Sequence, residues 1–434
     1  MHDARPVGAA QGQDVVLNDA HLTQSTRSPD PAGTVPQMNG VVVVGTGIAG
    51  VRAAEALRGS GYAEEIAFIS PETPIYRPSV SKEALKAPIV GQAAMPLKRS
   101  ATDFTWLLGH RVEAADLATR SLLVRTPEGE EVTRHFDGLV IASGLRSRQL
   151  AIPGPTLGRF TLRTLHDAQE LEPHLKPDAR IVIVGSGFIG CEVAAAAIAR
   201  GCQVTVISPE TTPLASAIGL ELGERIAAKH RAEGVSFILD ASVVEFLGAE
   251  SGQGSVTGLL LDDGTRIEAD VVIEAVGSRA NTEWLDDNNL DLVNGVLTDG
   301  FLRAVGTDQP VVVCGDIARH PNALFGPEVR RIEHWTAAGE MGTYAGKVMG
   351  QLLTGTEISL APFANVPGFW SDQYDLQIQS FGIPSMGSEV VIIDSDADGN
   401  CIAEYRDASG LVGVVGINRT SEIAYYRKLL NSRI

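Results

Sequence analysis

The chain has 434 residues, 53 of them acidic against 35 lysines and arginines, which gives a formal net charge of −18 at pH 7. So negative a surface argues against nucleic acid and anionic membrane as partners, and it obliges an acidic protein partner to find a local basic patch. A hydrophobic fraction of 44%, with no apolar run near the roughly 18 residues that cross a bilayer, points to a globular protein of about three domains in the cytoplasm, with no membrane anchor or secretory signal.

Residues 1–38 are rich in Ala, Gly, Asp, Gln, Ser and Pro without sustained period, and read as a disordered extension. Met38 stands directly before the first strand, so a shorter start is compatible with the fold. VVVVGTGIAG follows at Val41 to Gly50, then an alanine-rich helix and the strand IAFIS at Ile66 to Ser70. The pattern returns as IVIVGSGFIG at Ile181 to Gly190, a helix through EVAAAA, and QVTVIS at Gln203 to Ser208. Each Val/Ile run suits a parallel strand buried on both faces. Gly45 and Gly185 allow the tight turn, Gly47 and Gly187 let the backbone approach a pyrophosphate, and Gly50 and Gly190 let the helix pack on the strand. Ile48, Ala49, Phe188 and Ile189 complete these cofactor-binding segments, whose helices point free N–H groups at the phosphates. One such fingerprint is weak evidence. Two, each between a strand and a helix, point to two dinucleotides bound face to face and electrons passed between them.

An acid roughly 20 residues past the last glycine usually takes the adenosine ribose hydroxyls. Glu72 fits in the first unit; in the second the strand ends at Ser208, with Glu210 two further on. SPETTP offers no arginine or lysine for a 2′-phosphate and Glu210 would repel one, so NADH is favoured over NADPH. The four cysteines, Cys191, Cys202, Cys314 and Cys401, form no CxxC pair, which excludes a local redox dithiol and metal spacing. Cys191 and Cys314 read as small packing residues. No metal site is expected.

The strand PVVVCGD at Pro310 to Asp316 has the form of a returning piece of the first domain. Beyond Pro362 the strands EVVIIDS and LVGVVGI and a helix TSEIAYYRKLL end the chain. Arg330, Arg331, Arg419, Arg427, Lys428 and Arg433 are candidates for a basic docking patch, and equally for a solvated rim.

PIYRPSVSKEAL at Pro74 to Leu85, FDGLVIASG at Phe136 to Gly144, LRTLHDA at Leu162 to Ala168, VVVCGD at Val311 to Asp316, RIEHW at Arg331 to Trp335 and FWSDQYDLQIQ at Phe369 to Gln379 occur in this order. Together they resemble the FAD-dependent ferredoxin reductases of the putidaredoxin reductase kind, which serve bacterial cytochrome P450 and Rieske oxygenase systems, and the resemblance covers residues 39–434. It implies an α/β fold, glutathione-reductase-like, with two Rossmann-like dinucleotide-binding domains and a C-terminal α+β domain. The corresponding boundaries are 39–151 with 280–360 for FAD, 152–279 for the nicotinamide coenzyme and 361–434 for the last.

Carried over residue by residue, the resemblance has Gly45, Gly47, Gly50, Glu72, Arg77, Lys82, Arg146, Gly315 and Asp316 holding FAD, and the second fingerprint, Glu210 and Gly277 holding NADH. Lys82, Glu192 and Trp335 are the residues implied at the reacting rings, with Lys82 beside the flavin and paired to Glu192. On residue type alone, Lys82 reads as a solvated lysine, Glu192 as a helix-surface acid, and Asp316 as the cap of a following helix. Trp370 reads equally as a packed core tryptophan, and His334 as structural. Ser79 and Val80 stand where the family usually has Pro and Leu, the stretch from Glu72 to Arg77 is short, and Ser208 replaces an acid.

The implied reaction is hydride transfer from NADH to FAD, then two single-electron steps to an iron–sulfur ferredoxin that feeds a P450 or Rieske oxygenase. Flavin is the group able to do both. The alternatives are another acceptor (a rubredoxin, a quinone or oxygen) and a flavin- and NADH-binding signalling protein.

Overall fold

The computed structural model describes residues 40–72, 80, 81, 85, 103–248 and 254–432. The expected N-terminal extension lies outside them. Gly40–Val44 is buried at every position, as a Val run with both faces covered should be. It is the centre of a five-stranded parallel sheet in the spatial order Val311–Val313, Gly138–Ile141, Gly40–Val44, Glu65–Ser70, Thr105–Leu108. The chain leaves this sheet after Ile141 and rejoins it at Val311, pairing Val311 with Leu139 and Val313 with Ile141. Helix α1, Ile48–Gly59, follows the first strand.

Between the two visits a short helix α2, Leu165–Leu171, starts on a capping box: Thr164 accepts from Asp167 N while the Asp167 carboxylate accepts from Thr164 N. A second parallel sheet of five strands then forms in the order Ser236–Ile238, Gln203–Ile207, Arg180–Val184, Val271–Glu274, Arg159–Phe160. Helix α3, Phe188–Ala199, follows Val184, and α4, Ala215–Ala232, follows the next strand. The apolar pattern of α4 suggests a helix only from LGERIAAKH onward. It begins about two turns earlier, because Leu214 takes a left-handed conformation (φ 61°) and Gly219 (φ 81°) kinks the first turns into the rest.

Helix α5, Trp335–Thr354, lies across α1. Their axes approach to backbone contact: a Cβ at Gly342 would stand 2.2 Å from Ala49 O, and one at Gly346 2.1 Å from Ala53 O. The C-terminal sheet is antiparallel, ordered Gly368–Gln373, Leu376–Gly382, Gly410–Ile417, Cys401–Asp407, Glu389–Ser395, with α6, Thr420–Asn431, packed on it. Leu214, Ile218, Leu222 and Ile226 of α4 share one apolar core with Ile378, Tyr405, Val412 and Val415 of this sheet, each such side chain contributing about 2 kcal/mol on burial. That core holds the first strand of the C-terminal sheet against the start of α3.

Candidate dinucleotide and electron-transfer site

The two glycine turns are near-duplicates in three dimensions. Gly45 (φ 106°) donates its N–H to Ile69 O at 2.9 Å, and Gly185 (φ 108°) to Ile207 O at 2.8 Å. A Cβ at either would stand 2.2 or 2.3 Å from a carbonyl of the neighbouring strand, Ala142 or Ala275, so only glycine fits. A Cβ at Gly50 or Gly190 would likewise stand 2.4 or 2.1 Å from Gly45 O or Gly185 O. Over Gly47 and Gly187, by contrast, nothing lies within 4 Å, and the same holds at Gly144 and Gly277 across the turn from each. An exposed glycine backing onto open space at the N-terminus of a buried helix fits a pyrophosphate, to whose oxygens the unsatisfied N–H groups can donate. Ile48 and Ala49 are buried under the first turn, while Phe188 is half-buried and Ile189 exposed at the second.

The ends of the second strands repeat as well. Thr46 Oγ1 donates to Ser70 Oγ at 3.1 Å, and Ser70 Oγ accepts from Glu72 N at 3.2 Å. In the second unit Ser186 Oγ donates to Ser208 Oγ at 2.8 Å, and Ser208 Oγ accepts from Glu210 N at 3.2 Å. Glu72 and Glu210 therefore occupy matching positions. The signal is legible in the pentapeptide ISPET, which recurs at 69–73 and 207–211. Ser208 thus stands where Ser70 does, as a turn-builder, and the acid of the second unit that matches Glu72 in position is Glu210. Burial, and secondarily Asp167, raise the pKa of Glu72 against the opposing pull of Arg163.

Arg163, which sequence reasoning did not single out, is brought by the cap of α2 to Asp316, with Nη2 2.7 Å from Oδ2. Burial pushes the Asp316 carboxyl up and Arg163 opposes it. Gly315 precedes it with φ 79° and a would-be Cβ 2.8 Å from that of Ala49, so this turn abuts α1. Arg146, on the Leu145–Ser147 strand, is engaged by Glu283 and by Asn281 Oδ1 at 3.0 Å. Arg77 and Lys82 lie outside the described residues.

Glu192, on α3, is buried between two hydroxyls: Ser81 Oγ donates to Oε2, and Ser371 Oγ donates to Oε1 at 2.6 Å. Beside it the rings of Phe188 and Phe369 meet at 4.6 Å. Glu192 is thus no helix-surface acid but a carboxylate at the junction of α3 and the C-terminal sheet. Trp335, the first residue of α5, meets Trp370 edge-on at 6.1 Å. Trp370 is 38% exposed, which removes the core-tryptophan reading. His334 packs on Phe369 at 5.2 Å, and burial lowers its pKa to about 4, so it is a neutral ring at neutral pH.

Residues 39–342 match the pyridine nucleotide-disulphide oxidoreductase family, and residues 368–434 match the reductase C-terminal family. The chain belongs to the pyridine nucleotide-disulphide oxidoreductase family. Among its relatives, the anthranilate 1,2-dioxygenase system ferredoxin–NAD(+) reductase component of Burkholderia cepacia is 32% identical, over 90% of this chain and 93% of that protein. The rubredoxin–NAD(+) reductase of Pseudomonas putida is 32% identical, over 79% of this chain and 86% of its own length. Among solved structures, the covalent putidaredoxin reductase–putidaredoxin complex superposes with a TM-score of 0.81 at 28% identity, covering 91% of this chain and 93% of that one.

The disulphide in the family's name has no counterpart here, because all four cysteines are free and buried. Burial raises the Cys314 thiol to about 12 and pushes that of Cys191 higher still, which makes both poor nucleophiles. Of the six basic residues considered from sequence as a docking patch, four are engaged in ion pairs, Lys428 is exposed and Arg433 lies outside the described residues. Arg330, Arg331, Arg419 and Arg427 are paired with Glu328, Glu333, Asp394 with Asp396, and Glu340 respectively. Among the described residues no helix is long and apolar enough to cross a membrane.

Proposed function

We propose that this chain is an FAD-dependent reductase that draws electrons from NADH and delivers them to an iron–sulfur ferredoxin serving a cytochrome P450 or Rieske oxygenase. The observation that carries the reading is the duplicated dinucleotide cradle in a chain whose cysteines are all buried and single: two dinucleotides can be held, and no dithiol outlet stands between them. Bound flavin supplies the conversion of a two-electron donor into single-electron deliveries. The first cradle, Glu72 and Asp316 hold FAD; the second cradle and Glu210 hold NADH.

The chain's own residues orient and shield. Glu192, fixed by Ser81 and Ser371, presents a carboxylate at the join between the second unit and the C-terminal sheet. Trp335 and Trp370, one strand position before Ser371, meet edge-on. A cleft of about 700 Å³ opens beside Trp335 and is lined by Tyr344, Lys347 and Phe363 among others. Lys347 is exposed there without an ion-pair partner among the described residues, beside the Arg427–Glu340 pair that lines the same cleft, so it is the cation this rim offers to an acidic ferredoxin. Free, buried thiols also fit a reducing compartment such as the cytoplasm.

The test is NADH-driven cytochrome c reduction with the FAD-loaded protein. Turnover should be low alone and should rise steeply with added ferredoxin. The rubredoxin reductase relative favours rubredoxin as a second acceptor; a panel in which rubredoxin wins reassigns the partner, and a long-lived charge-transfer complex without turnover excludes a reductase. Glu210→Ala should lower the preference for NADH over NADPH about tenfold, equivalent to ~1.4 kcal/mol, because the like charge facing a 2′-phosphate is gone. An unchanged ratio of kcat/KM values would remove Glu210 from the coenzyme site.

A further inference from the structure

A file of buried polar groups runs from the hydroxyl of Tyr374 to the carboxylate of Glu192. Tyr374 Oη is 3.1 Å from His230 Nδ1, and His230 Nε2 is 2.8 Å from Gln373 Oε1. Gln373 Nε2 is 3.0 Å from Ser371 Oγ, which is 2.6 Å from Glu192 Oε1. His230, Gln373 and Ser371 each have 0% exposure. They come from three separate pieces of the chain: Glu192 from α3, His230 from α4, and the remainder from the first hairpin of the C-terminal sheet. The ring of His230 is further walled by Phe237 at 5.9 Å.

The chemistry of the end groups fixes the direction of the file. Both Glu192 oxygens accept, from Ser81 and Ser371, so Ser371 commits its single proton to Glu192 and must itself accept from the Gln373 amide nitrogen. The amide oxygen then faces His230 and takes the Nε2 proton. Nδ1 is left as an acceptor, and the Tyr374 hydroxyl fills it. Burial lowers the pKa of His230, so its neutral ring carries one proton and the tautomer is decided by this geometry. All four donors point toward Glu192, and in so dry an environment each polarises the next. Reversing any one requires reversing all, with Gln373 flipped and Glu192 carrying the proton.

We propose that Ser371, Gln373 and His230 are positioning residues for the electron-transfer site: a one-way chain of hydrogen-bond donors, anchored at Tyr374, that holds Glu192 as an oriented acceptor at the head of α3. The proposal rests on the role given to Glu192 beside the coenzyme under the proposed function. It also gives the C-terminal sheet a part in coenzyme handling, since that sheet supplies two links of the chain.

The experiment is a double-mutant cycle on the FAD-loaded protein, read by stopped-flow flavin reduction with NADH, the charge-transfer absorbance with NAD+, and FAD content. Gln373→Met and His230→Phe should each slow reduction roughly threefold to tenfold, the scale of one hydrogen bond, and weaken the charge-transfer band with FAD content unchanged. Ser371→Ala should behave alike, and Ser371→Thr, which restores the hydroxyl, should recover most of the loss. In a Glu192→Ala background, Gln373→Met and His230→Phe should add nothing. Losses that persist there would mean a structural role and overturn the proposal. A full-rate Glu192→Ala overturns the role of Glu192 and the proposal with it; a slow Glu192→Ala beside a full-rate Gln373→Met overturns the proposal alone. Independently of any variant's folding, ¹⁵N-histidine NMR of the unaltered protein should show His230 as the neutral Nε2–H tautomer, and an Nδ1–H tautomer would refute the direction of the chain.

Discussion

Gly47→Val should yield a folded protein that no longer retains FAD, whereas Gly187→Val should yield a yellow protein that has lost its grip on NADH. Both glycines have extended backbone angles that valine adopts freely, φ −65° and ψ 172° for Gly47, φ −72° and ψ −177° for Gly187. Neither has an atom within 4 Å of its would-be Cβ, so the apoprotein should melt within about 0.5 kcal/mol of the parent, as a surface substitution does. The added isopropyl group fills the space that a pyrophosphate would need above the helix N-terminus. FAD retention after gel filtration should fall at least about 30-fold for Gly47→Val, and the NADH KM should rise by a similar factor for Gly187→Val, a loss of ~2 kcal/mol. Exchanged phenotypes would mean that the two cradles have been assigned the wrong way round.

Gly342→Val should be far more damaging to the fold than either, although it lies in the middle of a helix where valine is tolerated and glycine is poor. A Cβ there would meet Ala49 O at 2.2 Å, backbone against which no side chain can retreat. Helix α5 must then lift from α1, which opens the core shared by Ala49, Ala53, Met341 and Ala345. We expect a loss of about 3 kcal/mol or more, the upper range for overpacking, seen as a lower midpoint in urea. FAD content should fall as well, because Ala49 and Gly315 sit at the same junction. Gly59→Ala, at the open end of α1 with nothing within 4 Å, is the control and should be neutral to mildly stabilising. A Gly342→Val protein as stable as the parent would show that α1 and α5 are not in backbone contact.

Gly45, Gly50, Gly185 and Gly190 are readable because a turn with φ near 106° or a carbonyl at about 2.2 Å excludes every other residue, so the constraint is written in a local pattern. ISPET, repeated at the ends of the two second strands, is equally local and places Glu210 at the position matching Glu72 more directly than spacing does. The pairing of Arg163 with Asp316 and the chain from His230 to Glu192 have no such signature. Their members are far apart in sequence and of residue types that are ordinarily exposed, and only the docking of α2, α4 and the C-terminal sheet makes them neighbours.

By itself, the amino-acid order determined that this polypeptide forms two strand–turn–helix dinucleotide cradles and contains no cysteine pair for a dithiol relay. Those are properties of short stretches, set by backbone sterics and by hydrophobic runs of strand length. The packing of α5 on α1 and the burial of Glu192 beneath two serines were settled only by tertiary structure, as was the withdrawal of four surface arginines into ion pairs of their own. Each depends on which faces meet when separate layers close on a common core, and hydrophobic burial, having no direction of its own, leaves that choice to the shapes of the layers.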